Sequence, residues 1–363
     1  MMSLGRLWLL GALCVGLTAA SPGAAVAGTR TWSVMPTPAN DQVSLFAVSC
    51  FAENNCIALG AYGFAAGPGT PSAEHWNGTR WSAVAAPADG MSLNAVACPS
   101  ASFCIAVGEN YSNLAQAWSW NGTAWTDQAT YLHRAPSSVL YAIECAGASS
   151  CEAVGSYSDA NTYPLAESWN GTTWSGQSTH GAPTGSLYGV SCVTVGHCEA
   201  AGSVTMPKSE PTLAMGLSGG STWVTQTTPG VQGYFLAVSC YANGCTAIGL
   251  TEYNKTLAEA WNGSAWTLQS PVGSGEPSGT SLIGWRAIHC ASSSSCTVAG
   301  YWSGTGTAEP LIDTWNGNKW SVNRTPATHA RLWALSCTSN GSVCTAVGET
   351  DLAKTNNSFA MRN

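Results

Sequence analysis

Residues 140–175 read LYAIECAGASSCEAVGSYSDANTYPLAESWNGTTWS, and this stretch contains the whole architecture in one unit. Two short apolar runs, LYAIEC and CEAVGSY, flank a tight polar turn and are bracketed by Cys145 and Cys151. A variable polar loop follows, then LAESWNG, then TTWS. Each run has the length and apolar bias of a strand, and each is bounded by turn formers. Variants of the second half recur as AEHWNGTRWS (73–82), LAEAWNGSAWT (257–267) and IDTWNGNKWS (312–321).

Cysteine spacing sets the period. The pairs are Cys50/Cys56, Cys98/Cys104, Cys145/Cys151, Cys192/Cys198, Cys240/Cys245, Cys290/Cys296 and Cys337/Cys344, and only Cys14 of the 15 cysteines is left over. First members of successive pairs stand 47 to 50 residues apart. Four strands per unit at this period predict an all-β seven-bladed β-propeller, because a lone four-stranded sheet cannot bury both faces but seven packed radially can. A β-rich solenoid of the same period is the alternative. Closure is favoured by the chain ends: TAVGETDLAKTNNSFAMRN (345–363) stops where a Trp-Asn-Gly turn is due, and GTRTWSVMPTP (28–38) supplies an outer strand with Trp32 in the role of Trp174. Pairing these segments within the last blade removes two exposed sheet edges. The order within a blade is then AVSC innermost, CIALG, LAExWNG, and xWS outermost. Cys turns and Asn-Gly turns fall on one face of the disk, and the variable loops on the other.

Residues 1–27 carry Arg6, a short apolar run and a small-x-small site at Ala25-Val26-Ala27, which reads as a secretory signal cleaved after Ala27. A lipid anchor at Cys14 is the alternative, although Leu13 is bulky for that cleavage. The apolar run is too short for a membrane anchor. The expectation is an exported, soluble, monomeric protein consisting of one propeller over 28–363. Twelve basic against nineteen acidic residues, with the basic ones scattered, give a net charge of −7 and argue against nucleic acid as a partner.

Export places the cysteine pairs in an oxidising compartment, and histidines do not accompany them, so seven hairpin disulfides are expected rather than zinc sites. Asn-Gly is read as a two-residue hairpin turn in which both residues tolerate positive φ. It also creates sequons at Asn77, Asn121, Asn170 and Asn262, whereas WNGNKW keeps Asn316-Gly317 without one. The flanking tryptophans suit cross-strand and inter-blade packing.

The combination AVSC…CxAVG…LAExWNGTxWS resembles a repeat of secreted bacterial, notably actinobacterial, proteins, and the resemblance covers essentially the whole chain after the leader. It implies a β-propeller-like fold and carries no established activity. More distantly, the turn is similar to the Asp-box of sialidase-type propellers, with Asn-Gly-Thr-x-Trp where that motif has Asp-x-Gly-x-Thr-Trp.

Departures from the repeat mark candidate sites. Four residues before each first cysteine stand Phe46, Asn94, Tyr141, Tyr188, Leu236, Arg286 and Trp333. These are expected to ring the channel mouth on the variable-loop face and to stack on a sugar or peptide. On the other face Glu144 is expected opposite Glu152, with Glu199 at the same repeat position one blade on, a set of carboxylates suited to Ca²⁺ or simply to solvent. A sialidase-like site would need convergent arginines, for which Arg134, Arg286 and Arg331 are the candidates. The recurrent acid of the LAE phrase (Glu74, Glu167 and Glu259, with Gln116 and Asp313 as variants) is read as serving loop backbone donors. No Gly-x-Ser-x-Gly, His-Glu-x-x-His or Walker phrase occurs. Three functions follow: a secreted binder of glycan, cell-wall or surface components, a glycoside hydrolase or lyase at the mouth, or a structural surface protein. Paired carboxylates about 5–9.5 Å apart in a cleft would favour the hydrolase.

Overall fold

The computed structural model describes residues 31–38, 42–63, 69–131, 135–206, 211–269, 282–303, 308–323, 325–327, 329–350 and 356–363. The expected leader, its cleavage site and Arg134 lie outside them. Thr31–Asn363 forms one compact unit of seven four-stranded antiparallel sheets. Inner strands Val43–Ala52, Gly90–Ser100, Ser137–Gly147, Gly185–Thr194, Gly233–Tyr241, Leu282–Ser292 and Ala330–Cys337 begin blades one to seven. Blade three shows the common plan, with Ser150–Ser158, Thr162–Trp169 and Trp174–Gly176 following outward.

Blade seven closes the ring. Its outer strand is Ser33–Val34, paired with Met361 and Arg362 at the end of the chain, and the Met35 amide extends the ladder to the Ala360 carbonyl at 2.9 Å. Trp32 is buried among Ala299, Ile312 and Leu332, the place Trp174 takes in blade three. One apolar cluster fills each of the seven gaps between blades, including the gap between blade seven and blade one, where Val347 and Ala360 meet Leu45 and Trp76. A solenoid has no such contact between its last and first repeats.

All seven expected bridges form: Cys50–Cys56, Cys98–Cys104, Cys145–Cys151, Cys192–Cys198, Cys240–Cys245, Cys290–Cys296 and Cys337–Cys344, with Cα atoms 3.9–4.0 Å apart. Each joins the two inner strands next to their turn. The two ends of a bridge have different surroundings. Cys50, Cys98, Cys145, Cys192, Cys240 and Cys337 border the central channel. The second cysteines, Cys56, Cys104, Cys151, Cys198, Cys245, Cys296 and Cys344, are at most 3% exposed, and each belongs to one of the apolar clusters between blades. Cys56, Cys104, Cys296 and Cys344 are therefore bridged residues of the buried core. Their sulfurs are bridged and enclosed by apolar side chains, which makes them inert as ligands or nucleophiles.

The Asn-Gly turn departs from the expected two-residue form. Four residues separate paired tryptophans such as Trp169 and Trp174, and only the glycine takes positive φ (98° at Gly171). The asparagine acts through its side chain: Asn170 Oδ1 accepts from the amides of Thr172 and Thr173 and from the Thr172 hydroxyl. The sequon hydroxyl thus has a structural partner within the turn itself. The first tryptophan donates its indole N–H to the cysteine-turn carbonyl of its own blade, Trp76 to Glu53, Trp169 to Ala148 and Trp315 to Ser293. These bonds place the two turns side by side on one face of the disk.

A β-bulge recurs in every inner strand. The ladder skips one residue between Leu45 and Ala47, Leu93 and Ala95, Leu140 and Ala142, Leu187 and Gly189, Phe235 and Ala237, Trp285 and Ala287, and Leu332 and Ala334. Opposite each bulge stands the glycine of the AVG phrase, for example Gly155 facing Leu140. A Cβ there would lie 1.8–2.0 Å from the carbonyl oxygen of the residue preceding the bulge, Val139 in blade three. The bulge therefore requires glycine because the bent strand presses its backbone into the space of a side chain.

Candidate binding surfaces at the two ends of the central channel

The residue skipped by each bulge is Phe46, Asn94, Tyr141, Tyr188, Leu236, Arg286 or Trp333, the seven positions expected at the mouth. A bulge leaves its extra residue unpaired and re-aims the side chain. All seven are half-buried, and neighbours meet between blades. Phe46 and Trp333 pack edge to face with centroids 6.2 Å apart, and Tyr141 and Tyr188 lie 5.2 Å apart. Asn94 Nδ2 donates to the Leu140 carbonyl at 2.9 Å. The Arg286 guanidinium lies 5.1 Å from the Trp333 ring and 5.3 Å from that of Tyr301, and its Nη2 donates to the Tyr301 hydroxyl at 2.9 Å. Arg331 approaches the same Tyr301 ring at 5.6 Å but is held by Glu349 at 3.2 Å. Two of the three arginines considered for a sialidase-like site therefore meet at one aromatic ring, one of them already neutralised. Burial, followed by the nearby Tyr188 and Glu109, pushes the Tyr141 hydroxyl above its ordinary pKa. Tyr301 and the bulges themselves were not legible as site features, although a glycine in every unit at the same offset is the signal that marks the bulge.

At the cysteine end the channel holds a cavity of about 440 Å³ lined by all seven inner strands. Here the serine of AVSC has a specific task. Ser49, Ser191, Ser239 and Ser336 accept hydrogen bonds of 2.9–3.0 Å from the amides of Cys98, Cys240, Cys290 and Cys50, each in the next blade round the ring. Ala97, Glu144 and His289 occupy the equivalent places in blades two, three and six. Glu144 does pair with Glu152 across the strands, and burial pushes both carboxyls up to about 7. Glu199 faces Ser191 in blade four and accepts from Gln226 Nε2 at 3.1 Å. Among the described residues no group of three His, Cys, Asp or Glu side chains able to hold a metal ion is found.

The LAE acids are deep in the blades. Glu74, Glu167, Glu259 and Asp313 are at most 1% exposed. Glu167 Oε2 accepts from the Tyr131 amide at 3.0 Å in the connection from blade two, as expected of a loop-serving acid, whereas Asp313 accepts from the Trp285 indole at 2.6 Å. Gln116 is not a member of this set. The register places Trp118 opposite Ala106, where Glu167 faces Ala153 in blade three. Two extra residues in AQAWSWNG shift the phrase, and Trp118 donates to Asp89 at 2.7 Å.

These observations define a disulfide-rich seven-bladed β-propeller whose inner-strand bulges carry a collar of aromatic side chains and one arginine. No family model and no curated protein matches the sequence. Similar solved structures include YCF48 bound to D1 peptide, at 11% identity and a TM-score of 0.58 over 92% of this chain and 95% of that one. YCF48 from Cyanidioschyzon merolae matches at 13% identity and a TM-score of 0.59, over 92% and 98%. At this identity the likeness concerns the fold. No helix among the described residues is long and apolar enough to cross a membrane.

Proposed function

We propose that the protein is an exported ligand-binding propeller that takes a glycan of the cell wall or cell surface at the channel mouth on the variable-loop face. The observation that carries this reading is the seven-fold bulge, which turns one side chain per blade toward its neighbours and makes a half-buried collar. Phe46, Tyr141, Tyr188 and Trp333 offer faces for stacking, and Asn94 and Arg286 offer hydrogen-bond donors. Aromatic anchors beside a few convergent polar groups are the usual make-up of a small-ligand site. A peptide ligand is the second reading, favoured by the solved propeller of similar fold that is described as bound to a peptide.

A glycan-array screen of the mature protein, run beside Tyr188→Ala and Trp333→Ala, tests the assignment. Losing one aromatic anchor is expected to weaken binding by about tenfold or more. Binding that is unchanged in both variants would remove the mouth as the site. Binding to arrayed peptides but to no glycan would select the second reading, and no binding of either kind would leave a structural surface protein.

A further inference from the structure

Blades four and five are separated on the cysteine face by a groove of about 730 Å³, and blades five and six by one of about 310 Å³. Trp261 borders both, as do Asn243 and Asn262. Two departures from the repeat meet here. The Cys240–Cys245 turn is shorter than the others, with a separation of five residues where the remaining pairs have six or seven. In blades one, three and six the corresponding turn accepts the indole N–H of the first tryptophan. Trp261 makes no such bond among the described residues, is only half-buried, and keeps its ring contact with Trp266 at 5.7 Å.

The second departure is Gly216, opposite Glu199 on the wall contributed by blade four. A Cβ at Gly216 would come within 2.5 Å of Gln226 Nε2 and 3.2 Å of Glu199 Oε2. The missing side chain thus leaves room for a carboxylate and the amide that holds it. Gln226 is itself fixed, its Oε1 accepting from the Trp266 indole at 2.6 Å while its Nε2 donates to Glu199 Oε1. Glu199 Oε2 is left without a partner in the structure, and an unserved buried carboxylate oxygen is costly.

We infer that the groove between blades four and five is a binding site for a neutral saccharide. A pyranose ring presents an apolar C–H face to the indole of Trp261, and its hydroxyls are donors for the Glu199 carboxylate. The same hydroxyls accept from the Trp261 indole N–H and from Asn262 Nδ2, whose Oδ1 is held by its own turn, and exchange bonds with the Asn243 amide. A purely apolar ligand would leave the Trp261 indole N–H, the Asn243 amide and Glu199 Oε2 unserved, and an anion would be repelled once Glu199, whose pKa burial raises to about 7, is ionised. The groove volume lies within the range usual for small-molecule sites. This site is on the face opposite the channel mouth and does not depend on the function proposed above.

The test is calorimetric titration of the mature protein with three neutral trisaccharides: cellotriose, maltotriose and N,N′,N″-triacetylchitotriose. At least one is expected to bind. Trp261→Ala and Glu199→Gln should each weaken that binding, by about thirtyfold for the tryptophan. Trp261→Phe should restore most of the loss. Glu199→Gln keeps the size of the side chain and decides the matter even where Trp261→Ala does not fold. The inference is overturned if none of the three sugars binds at millimolar concentration, if Glu199→Gln binds as the parent does, or if an alkylammonium ion binds at Glu199 and the sugars do not.

Discussion

Glu167 offers a quantitative test of how the blades are joined. Its carboxyl is fully buried, with Oε2 on the Tyr131 amide and Oε1 without a hydrogen-bond partner. Burial pushes its pKa from 4.5 up to about 7, and the Tyr131 bond offsets only part of that rise. Such a rise is equivalent to about 3 kcal/mol of preference for the protonated form in the folded state. The sign follows from proton counting. Between pH 4.5 and 7 the unfolded chain has released this proton and the folded chain still holds it, so stability falls as pH rises through that window. The contribution is present in full below 4.5 and lost above about 7. Glu167→Gln keeps an acceptor for the Tyr131 amide and has nothing to ionise. The stability of the variant minus that of the parent, from guanidinium unfolding with disulfides intact, should therefore rise by about 3 kcal/mol between pH 4.5 and 8. A difference that stays constant within about 1 kcal/mol over that range would show that the carboxyl is not held neutral in the folded blade.

Two further outcomes follow from the fold. Gly155→Ala places a Cβ 1.9 Å from the Val139 carbonyl oxygen, and since backbone rather than a side chain must yield, unfolding free energy should drop by about 3 kcal/mol or more. Urea titration reads this, and an unchanged midpoint would mean the bulge is not rigid. Trp32→Ala empties the buried site between blades six and seven and should cost about 3–5 kcal/mol. In that variant, faster amide exchange in Ser358–Arg362 than in the matching strand of blade three would confirm that the N-terminal strand closes the ring.

The number of blades was legible because each cysteine pair counts one inner hairpin, and ring closure because Trp32 stands apart from the tryptophan turn it completes. Spacing also paired the cysteines, but it could not tell the channel-side sulfur of Cys50 from the core-side sulfur of Cys56, since that difference arises only when a neighbouring blade packs over the second strand. The collar positions were legible as an offset from the cysteines, but the bulge that re-aims them was not. A strand pattern read by alternation assumes an unbroken ladder, and a single skipped residue leaves the flanking apolar periodicity intact. Gln116 was misplaced for a related reason: the LAE phrase anchors at its Trp-Asn-Gly end, and counting from the other end misses a two-residue insertion. The Glu199–Gln226–Trp266 chain links neighbouring blades through residues 27 and 40 positions apart, and no spacing rule within one repeat brings them together.

The serine acceptors around the channel have a mechanical consequence. They tie blade seven to one and one to two, and again four to five and five to six. Blade three belongs to neither arc, since Ala97 lacks the hydroxyl on one side and Glu144 replaces it on the other. Its fastenings lie elsewhere: Asn94 reaches it at the mouth, Glu167 grips the incoming connection, and Gln177 receives the Trp223 indole of blade four at 2.7 Å. The serine belt is thus two runs, interrupted on either side of blade three and again between blades six and seven, where His289 stands in the place of the serine, and one fastening of blade three is an acid whose pKa burial raises to about 7. Raising the pH through about 7 should therefore strain the ring at Glu167 in blade three and, through the equally raised carboxyl of Glu259, in blade five.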